Sequence, residues 1–589
     1  MQVVATAGHV DHGKSTLVRV LTGMEPDRLA EERRRGLTLD LGFAWTTLPS
    51  GERLAFVDVP GHNRFVTTML AGVGPVPAVM FVVAADEGWM PQSAEHLAAI
   101  DALGVEHGLL VVTRADLADP APALAQAAAE LRRTSLGQVP ALAVSGVTGA
   151  GLDALRTALA ALAAALPRPD PAAPVRLWID RAFTIKGSGT IVTGTLPAGR
   201  IRVGDELELA PAGKLVRVRA LESLKQPAPE VVGVARVAVN LRGADKTELV
   251  RGMALTSPAQ WTVTELIDVR LHGALAAAEL PGELTLHIGS AAVPARIRPL
   301  GGRTARLTLG SPLPLHIGDR ALLRDPGRHL IPAGLTVLDV RPPPLRRRGA
   351  AAARAEQLAG WPALPDAAVL VRQRRVVRAA ELAAMGCDPG KVRPVAGDWL
   401  ADPVHWGDLG RRLAELVARH AAGDPLEPGL PVAAAQQALG LPDRRLVEAL
   451  VAAPLRLAGG RIYGARRAGD LPPPVAAAVD QLRAELAAAP YRAPEAARLA
   501  ELGLAGKPLA AAVRAGALLR IADGVVLLPG ADERAVDILA RLPQPFTASD
   551  ARRALDTSRR VVIPLLEHLD RLGYTVREGD ARRVVRPVG

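Results

Sequence analysis

The stretch "GHVDHGKS" at residues 8–15 places two glycines, a lysine and a serine at the spacing of a phosphate-binding loop. An apolar run precedes it and a helical pattern follows it, as such a loop requires. We predict that Gly8 and Gly13 let the backbone turn its N–H groups toward phosphates at the helix N-terminus. Lys14 would reach the β- and γ-phosphates, and Ser15 would bind Mg²⁺. The other nucleotide contacts predicted in or beside this stretch are His9, Val10, Asp11, His12 and Thr16.

Two further segments carry polar residues suited to the same site. Asp58 ends an apolar run in "DVPGH" and is predicted to hold Mg²⁺ through a water molecule. Gly61, in the same segment, would offer its N–H to the γ-phosphate. Thr38 lies upstream on a polar segment and is the third predicted contact to the metal.

The identity of the base is predicted from "TRAD" at residues 113–116. Asp116 can accept hydrogen bonds from the N1–H and 2-amino groups of guanine, which adenine lacks, so the sequence predicts GTP. Thr113 and Arg114 stand where Asn and Lys are usual in such motifs. Arg114 can still cover the face of the base, but Thr113 has one hydroxyl in place of an amide, and its effect on nucleotide affinity is left open. Ser145, after the next apolar run, completes the predicted nucleotide contacts.

His62 has two possible roles. A lone histidine after a strand is more often structural, but this one directly follows Asp-Val-Pro-Gly in a phosphate-binding domain. It would orient the attacking water, because phosphoryl transfer depends on positioning and charge stabilisation. We therefore predict His62 as the catalytic residue, screened from water by Val10 and Leu37.

The elements that must position these residues change in type along the chain. Residues 1–170 alternate apolar runs with helical patterns, which predicts an α/β P-loop domain around a parallel sheet. A proline-rich linker at 167–174 follows. Residues 174–258 and 260–342 have short strands punctuated by glycine, which predicts two antiparallel β-barrels.

The remainder of the chain is predicted to form winged-helix modules, about three in residues 350–540 and a last one in 541–589. In the last module, "TASDARRALD" is typical of a helix capped by Thr547 or Ser549, and "TSRRVVIPLLEHLDRLG" of a second helix. A two-stranded wing should follow around Gly579–Asp580.

Charge and composition limit the class of protein. Of the net charge of +11 over 589 residues, +10 falls in residues 341–589, with 37 Lys and Arg against 27 Asp and Glu. Such a basic region predicts a polyanionic partner, most simply nucleic acid. Cys387 is the only cysteine, which excludes an internal disulfide framework. We find no pattern typical of a signal peptide or a membrane crossing, and expect a cytoplasmic monomer.

Several stretches resemble, in order, those of translational GTPases of the elongation-factor Tu type, and most closely the bacterial selenocysteine-specific elongation factor (SelB) family. They are "AGHVDHGKSTLV", "RGLTLDLGF", "DVPGHNRFVTTML", "IDRAFTIKGSGTIVTGTL" and "TSRRVVIPLLEHLDRLG". The resemblance implies a GTPase that delivers selenocysteinyl-tRNA to the ribosome at recoded UGA codons. It also implies that the C-terminal winged helices bind an mRNA hairpin beside that codon.

The same resemblance implies a pocket for the selenocysteinyl group made by Asp180, Arg181 and Arg236. The pattern around Arg236 alone is equally consistent with a solvated arginine on a surface strand. A selenol is more acidic than a thiol and is largely ionised at neutral pH, whereas the hydroxyl of serine stays neutral. Two arginines, one of them with its charge partly balanced by Asp180, would therefore favour the selenolate.

Candidate RNA contacts lie in the last module. Arg559 and Arg560 begin its second predicted helix, and Arg582, Arg583 and Arg586 fall on the predicted wing. Such arginines are more often solvated, but the regional charge and the resemblance favour RNA contact here.

Two other classes of function remain open from the sequence. One is a general translational or ribosome-associated GTPase whose basic tail binds ribosomal RNA without specificity. The other is a nucleic-acid-binding regulator that uses GTP as a switch. The Arg181 and Arg236 pair, and the roughly 240 residues beyond the second predicted barrel, favour delivery of a special aminoacyl-tRNA.

Overall fold

The computed structural model describes residues 1–26, 38, 40–62, 65–185, 189–390, 392–427, 429–464 and 471–585. Leu37 and Arg586, to which the sequence assigns roles, lie outside these residues. The chain divides into two compact units, Met1–Arg393 and Pro394–Gly589. No helix within the described residues is long and apolar enough to cross a membrane.

The first unit begins with an α/β domain. Its elements are β1 Gln2–Ala7, α1 Lys14–Thr22, β2 Gly42–Thr47, β3 Arg53–Asp58, α2 Val66–Val73, β4 Ala78–Ala84, α3 Pro91–Leu103, β5 His107–Thr113, α4 Ala121–Leu131, β6 Ala141–Ala143 and α5 Leu152–Ala165. The sheet order is β2-β3-β1-β4-β5-β6, with β2 antiparallel to β3 and the other pairings parallel. β1 and β4 are buried along their whole length, as expected for strands covered on both faces.

This topology gathers the predicted nucleotide residues. The carboxyl ends of parallel strands lie at one edge of a sheet, where open α/β folds bind their ligands. The loops that follow β1, β3 and β5 carry the phosphate-binding stretch, the "DVPGH" segment and the "TRAD" segment, and they therefore meet at that edge.

The first barrel domain is an antiparallel assembly of ten strands, in sheets of eight and two. Its strands are β7 Arg176–Trp178, β8 Arg181–Ile185, β9 Gly189–Leu196, β10 Arg200–Arg202, β11 Glu206–Ala210, β12 Lys214–Ser223, β13 Gln226–Ala228, β14 Glu230–Val232, β15 Ala235–Arg242 and β16 Ala254–Thr256. Thr193 on β9 is paired with both Arg181 on β8 and Ala238 on β15. Since side chains alternate along a strand, Arg236, two residues before Ala238, shares a face with Arg181. The opposite face of β15 carries Val237 and Val239 into the core.

The second barrel domain is closed, with strand order β17-β20-β19-β18-β21-β22 and β22 pairing back to β17. Its strands are β17 Thr262–His272, β18 Glu283–Ile288, β19 Ala291–Gly301, β20 Thr304–Leu315, β21 Arg320–Asp325 and β22 Leu330–Asp339. One-turn 3₁₀ helices occur at Lys246–Glu248 and Ala277–Glu279.

Three helices at the end of the first unit follow this barrel: α6 Ala350–Ala359, α7 Ala367–Arg374 and α8 Ala379–Ala384, with the short strand β23 Val376–Arg378 between the last two. A buried ion-pair network fixes α6 to the barrel. Arg354 on α6 donates to Asp268 of β17 and to Asp339 of β22, each at 2.7 Å. Both carboxylates are fully buried, so these helices belong to the body of the first unit.

The second unit combines helices of 6 to 21 residues with short β-strands. Its elements are β24 Trp399–Ala401, α9 Pro403–Gly423, β25 Leu430–Pro431, α10 Val432–Leu439, α11 Arg444–Leu450, β26 Arg456–Ala458, β27 Arg461–Tyr463, α12 Pro473–Ala488, α13 Ala496–Glu501, α14 Lys507–Arg514, β28 Leu519–Ala522, β29 Val525–Leu527, α15 Ala531–Leu539, β30 Phe546–Thr547, α16 Ala548–Ala554, α17 Arg559–Arg571, β31 Thr575–Glu578 and β32 Ala581–Val584.

The last module agrees with the sequence in detail. Thr547, one of the two predicted caps, accepts a hydrogen bond from the N–H of Asp550 and forms a capping box with it. The second predicted helix is α17, and the wing turns at Gly579–Asp580 between β31 and β32. The overall architecture of an α/β domain, two antiparallel barrel domains and C-terminal winged helices matches the predicted fold class.

Candidate functional site

The phosphate-binding loop lies between β1 and α1. Gly8 has φ of +126°, and a Cβ there would stand 2.1 Å from the carbonyl oxygen of Val82, so the loop requires glycine at this position. The ammonium of Lys14 donates to the carbonyl oxygens of Gly8, at 3.0 Å, and of His9, at 2.6 Å. Burial lowers the pKa of Lys14 to about 8. The loop thus holds a buried cation that an anionic phosphate would stabilise.

Helix α3 supports the loop through two residues that the sequence analysis missed. The Nδ1 atom of His96 accepts a hydrogen bond from the N–H of Gly8 at 3.1 Å. Gln92 accepts one from the N–H of Val10 at 3.0 Å. Burial lowers the pKa of His96 to about 3, so its ring is neutral and keeps Nδ1 as an acceptor. The sequence carries no signal for these contacts, because His96 lies 88 residues from its partner.

The three predicted metal contacts converge. The hydroxyl of Ser15 donates to Asp58 at 2.6 Å and lies 2.9 Å from the hydroxyl of Thr38. The other carboxylate oxygen of Asp58 accepts from the hydroxyl of Thr6 at 2.8 Å, a partner the sequence did not reveal. Two hydroxyls and one buried carboxylate form the hard oxygen set that Mg²⁺ uses beside substrate phosphates. The residues therefore fit a Mg²⁺–nucleotide complex.

The predicted catalytic segment lies against the phosphate loop. A Cβ on Gly61 would come within 2.5 Å of the nitrogen of Val10 and 2.7 Å of Lys14 Nζ, so the backbone there approaches as closely as glycine permits. His62 follows directly, is half-buried, and has its ring 6.2 Å from that of Phe65, edge to face. His62 is thus one residue from the point where the two segments touch.

Thr113 takes part in joining the base-recognition segment to the phosphate loop. Its hydroxyl donates to the carbonyl oxygen of His12 at 2.8 Å. The side chain of His12 is fully buried, and burial lowers its pKa to about 4. One hydroxyl therefore joins the base-recognition segment to the phosphate loop.

Arg114 makes a second link between the same segments. Its guanidinium contacts Asp86 at 2.9 Å and Glu87 at 2.7 Å, and also donates to the carbonyl oxygen of Asp11. Burial acts to lower the pKa of Arg114, but the hydrogen bonds with Glu87 and Asp86 outweigh it and raise the pKa above its usual value. The head group is thus held at the loop edge, which leaves the methylene stem to face a base.

The remaining predicted nucleotide residues border the same edge. Ser145 is buried, and its hydroxyl accepts from the N–H groups of Val147, at 3.2 Å, and Thr148, at 3.0 Å, which fixes the loop after β6. Asp116 is exposed, and so are Asp11 and Thr16.

A second pocket lies where the first barrel meets the α/β domain. Both terminal nitrogens of Arg236 donate to the carboxylate of Asp180, and the distance from Nη2 to Oδ1 is 2.8 Å. Asp180 is buried and also accepts from the hydroxyl of Thr193 at 2.7 Å. The guanidinium of Arg236 stacks 3.9 Å above the ring of Phe43.

The other predicted pocket arginine has partners from the α/β domain. Arg181 contacts the carboxylate of Asp40 at 2.9 Å and donates to the carbonyl oxygen of Leu41. Its guanidinium lies 5.6 Å from the ring of Phe43. The structure therefore brings Asp180, Arg181 and Arg236 together and adds Asp40 and Phe43.

The arginines line a cavity of about 370 Å³. One wall comes from β2 and β3 and the other from the barrel. Its residues are Phe43, Ala44, Trp45, Ala55, Phe56, Val57, Arg181, Phe183, Thr193, Glu222, Leu224, Lys225, Arg236, Val237 and Ala238. A mostly apolar wall with a few charged groups is typical of a ligand pocket.

The four predicted RNA-contacting arginines that the structure describes differ in their surroundings. Arg559 is exposed at the start of α17, and Arg583 is exposed beside Glu578. Arg560 instead donates to backbone carbonyl oxygens, among them that of Ala493 at 2.7 Å. Arg582 is buried and paired with Asp570 at 2.9 Å.

Four family models match successive parts of the chain. They are Elongation factor Tu GTP binding domain at residues 1–165, Elongation factor Tu domain 2 at 189–256, Selenocysteine-specific elongation factor, beta-barrel domain, at 268–344, and Elongation factor SelB, winged helix, at 537–584. These matches follow the order of the domains in the structure.

Known relatives agree with these matches. The selenocysteine-specific elongation factor of Escherichia coli (strain K12) is 38% identical over 355 residues, which are 59% of this chain and 56% of that protein. Elongation factor Tu 2 of Streptomyces avermitilis is 31% identical over 297 residues, 46% of this chain and 75% of that protein. The crystal structure of a bacterial selenocysteine-specific elongation factor, EF-Sec, covers all of both chains with a TM-score of 0.77 and 25% identity.

The chain spans about half the length of the selenocysteine-specific relatives from E. coli and Desulfomicrobium baculatum. The match to elongation factor Tu covers three-quarters of that protein. The chain belongs to the elongation-factor-Tu-type translational GTPases, and its second barrel and last winged helix match the models of selenocysteine-specific elongation factors.

Proposed function

We propose that this protein binds selenocysteinyl-tRNA in its GTP form and delivers it to the ribosome at recoded UGA codons. The observation that carries the proposal is the pair Arg181 and Arg236, which line one cavity between the nucleotide domain and the first barrel. A cavity at this boundary can respond to the nucleotide and hold an aminoacyl group at once.

The charge of the pocket supports selection of selenocysteine over serine. A selenolate can accept charge-assisted hydrogen bonds from Arg181 and Arg236, whereas the neutral hydroxyl of serine can accept only weaker ones. A hydrogen bond to a charged group contributes about 1.5–3 kcal/mol, so each arginine would favour selenocysteine by roughly tenfold to a hundredfold. Asp180 keeps Arg236 oriented and limits the cost of burying it.

Hydrolysis of GTP to GDP follows from the nucleotide site. Ser15 and Thr38 would hold Mg²⁺ directly, and Asp58 through water, as their convergence at 2.6–2.9 Å supports. The bound ion would supply positive charge to the phosphate oxygens. Lys14 and the N–H of Gly61 would stabilise the γ-phosphate, and His62 would orient the attacking water.

The C-terminal winged helices are proposed to tether the factor to an mRNA hairpin. The basic residues of this region would contact phosphates, and exposed Arg559 at the start of α17 stands where a recognition helix presents its first side chains. Tethering raises the local concentration of the factor at one codon without any new contact at the ribosome.

Protection of aminoacyl-tRNA from deacylation tests the proposal. With a non-hydrolysable GTP analogue, the protein should slow the deacylation of selenocysteinyl-tRNA at concentrations that leave seryl-tRNA unprotected. With GDP the protection should be much weaker. Equal protection of both tRNAs would refute the proposed specificity.

A further inference from the structure

The two arginines of the pocket are held by carboxylates from different domains. Arg236 pairs with Asp180 of its own barrel. Arg181 pairs with Asp40 of the α/β domain, at 2.9 Å, and donates to the neighbouring carbonyl oxygen of Leu41. The orientation of Arg181 therefore depends on a segment that belongs to the nucleotide domain.

That segment also reaches the proposed metal site. Thr38, two residues before Asp40, has its hydroxyl 2.9 Å from that of Ser15. Two residues of extended chain span about 7 Å at most, so a displacement of Thr38 by more than a few ångströms would draw Asp40 with it. The carboxylate of Asp40 also accepts from the N–H of Leu41 at 2.8 Å, which fixes it to the local backbone. Movement of the backbone is therefore passed to the carboxylate.

Asp40 supports Arg181 from outside the cavity. Arg181 lines the cavity, whereas Asp40 is not among the described residues that do. The contacts to Asp40 and Leu41 are made by Nη2 of Arg181. Its Nε is buried and has no hydrogen-bond partner among the described residues. Asp40 thus orients the guanidinium without filling the cavity that Arg181 lines.

The same segment carries an aromatic support. Phe43 follows Asp40 by three residues, and its ring lies 3.9 Å from the guanidinium of Arg236 and 5.6 Å from that of Arg181. Thr38 thus contacts the nucleotide site, while Asp40 and Phe43 contact the cations of the pocket.

We propose that Asp40 is a positioning residue that makes the presentation of Arg181 to the aminoacyl group depend on the bound nucleotide. This inference rests on the proposed function, since it concerns the affinity for selenocysteinyl-tRNA. When Thr38 is held at the metal site, Asp40 holds Arg181 toward the cavity; when Thr38 leaves, Arg181 loses that partner. The coupling is reciprocal, so bound selenocysteinyl-tRNA must favour the GTP state through the same contact.

The Asp40→Asn variant tests this role. We expect the ratio of affinities for selenocysteinyl-tRNA, measured with a non-hydrolysable GTP analogue and with GDP, to fall about tenfold. The preference for selenocysteinyl-tRNA over seryl-tRNA in the GTP form should fall with it. Asp40→Glu, which keeps the charge, should restore part of both ratios. The matched control is Asp153→Asn, which removes another 2.9 Å ion pair of the α/β domain, that with Arg156, and should change neither ratio.

A double-mutant cycle separates positioning from a general loss of structure. In an Arg181→Ala background, Asp40→Asn should have no further effect on either ratio, because its partner is gone. Suppose that the wild-type protein prefers selenocysteinyl-tRNA. Unchanged ratios in Asp40→Asn, or a full effect of Asp40→Asn in the Arg181→Ala background, would then overturn this inference alone. A wild-type protein without that preference would overturn the proposed function and this inference with it.

Discussion

The hydroxyl of Thr113 donates a 2.8 Å hydrogen bond to the carbonyl oxygen of His12. A residue at the end of β5 is thereby fastened to the middle of the phosphate-binding loop. Because the two segments would hold opposite ends of the nucleotide, this bond fixes their separation.

Removal of that hydroxyl should weaken nucleotide binding. A neutral hydrogen bond contributes about 1 kcal/mol, so Thr113→Ala should raise the Kd for both GDP and GTP roughly fivefold. Titration with a fluorescent guanine nucleotide measures the change. Thr134→Ala deletes a comparable hydroxyl, which donates to the carbonyl oxygen of Leu131 at 2.7 Å, and should leave the Kd unchanged. Equal affinities for wild-type protein and Thr113→Ala would contradict the assigned role.

Substitution of His62 should separate catalysis from binding. His62→Ala should reduce ribosome-stimulated GTP hydrolysis by roughly a hundredfold or more, because positioned proton-accepting groups contribute about 10²–10⁴-fold. Nucleotide affinity should change little, since the phosphates are held by Lys14 and the loop. Single-turnover hydrolysis and equilibrium binding are measured on the same preparation. Hydrolysis at the wild-type rate would remove His62 from the mechanism.

The stability of the α/β domain should fall in mild acid through His96. In the folded protein burial holds the pKa of His96 at about 3, whereas the unfolded chain takes up a proton near 6.5. The unfolded state therefore binds more protons between these values, and the free energy of unfolding decreases as the pH falls from 6.5 toward 3. At pH 5 the loss from this residue is about 2 kcal/mol.

Hydrogen exchange of the β1 and phosphate-loop peptide at pH 7.5 and pH 5, corrected for intrinsic rates, measures this loss. His96→Gln removes the titration and keeps an oxygen that can accept from the N–H of Gly8. The variant should lose less opening free energy between the two pH values than the wild-type protein. The same loss in both proteins would show that other groups govern the acid response.

Substitution of Arg559 should weaken RNA binding with less disturbance of packing than substitution of Arg560. Both side chains are exposed, but Arg560 also donates to backbone carbonyl oxygens of an adjoining module, so its loss would disturb packing as well. Arg559→Ala should weaken binding of an RNA hairpin taken from downstream of a recoded UGA codon. The slope of log K against log salt should decrease by about one. Arg156→Ala, which removes an equal charge from α5, is the control, and unchanged hairpin affinity in Arg559→Ala would exclude this contact.

The sequence predicted features that depend on contiguous residues. The phosphate-binding loop, the alternation of strands and helices, and the cap at Thr547 are each encoded within about ten residues. Spacing and periodicity are sufficient there, because the interacting groups are neighbours in the chain.

Contacts between distant segments were not predictable in the same way. Leu41 and Arg181 are 140 residues apart, and nothing in the pattern around either indicates the other. The sequence shows that Arg560 and Arg582 are charged. It does not indicate the carbonyl oxygens that Arg560 contacts or the carboxylate that Arg582 contacts. A buried arginine and a solvated one have the same sequence signature, and only packing distinguishes them.

Selection of the selenocysteinyl group is assigned here to Arg181 and Arg236. Its most direct test is the ratio of Kd values for seryl-tRNA and selenocysteinyl-tRNA, measured in the GTP form for wild-type protein and for Arg181→Ala combined with Arg236→Ala. We predict a large ratio for the wild-type protein, a ratio near one for the double variant, and equal nucleotide affinity in both. A double variant that retains the wild-type ratio would show that these two arginines do not select the selenocysteinyl group.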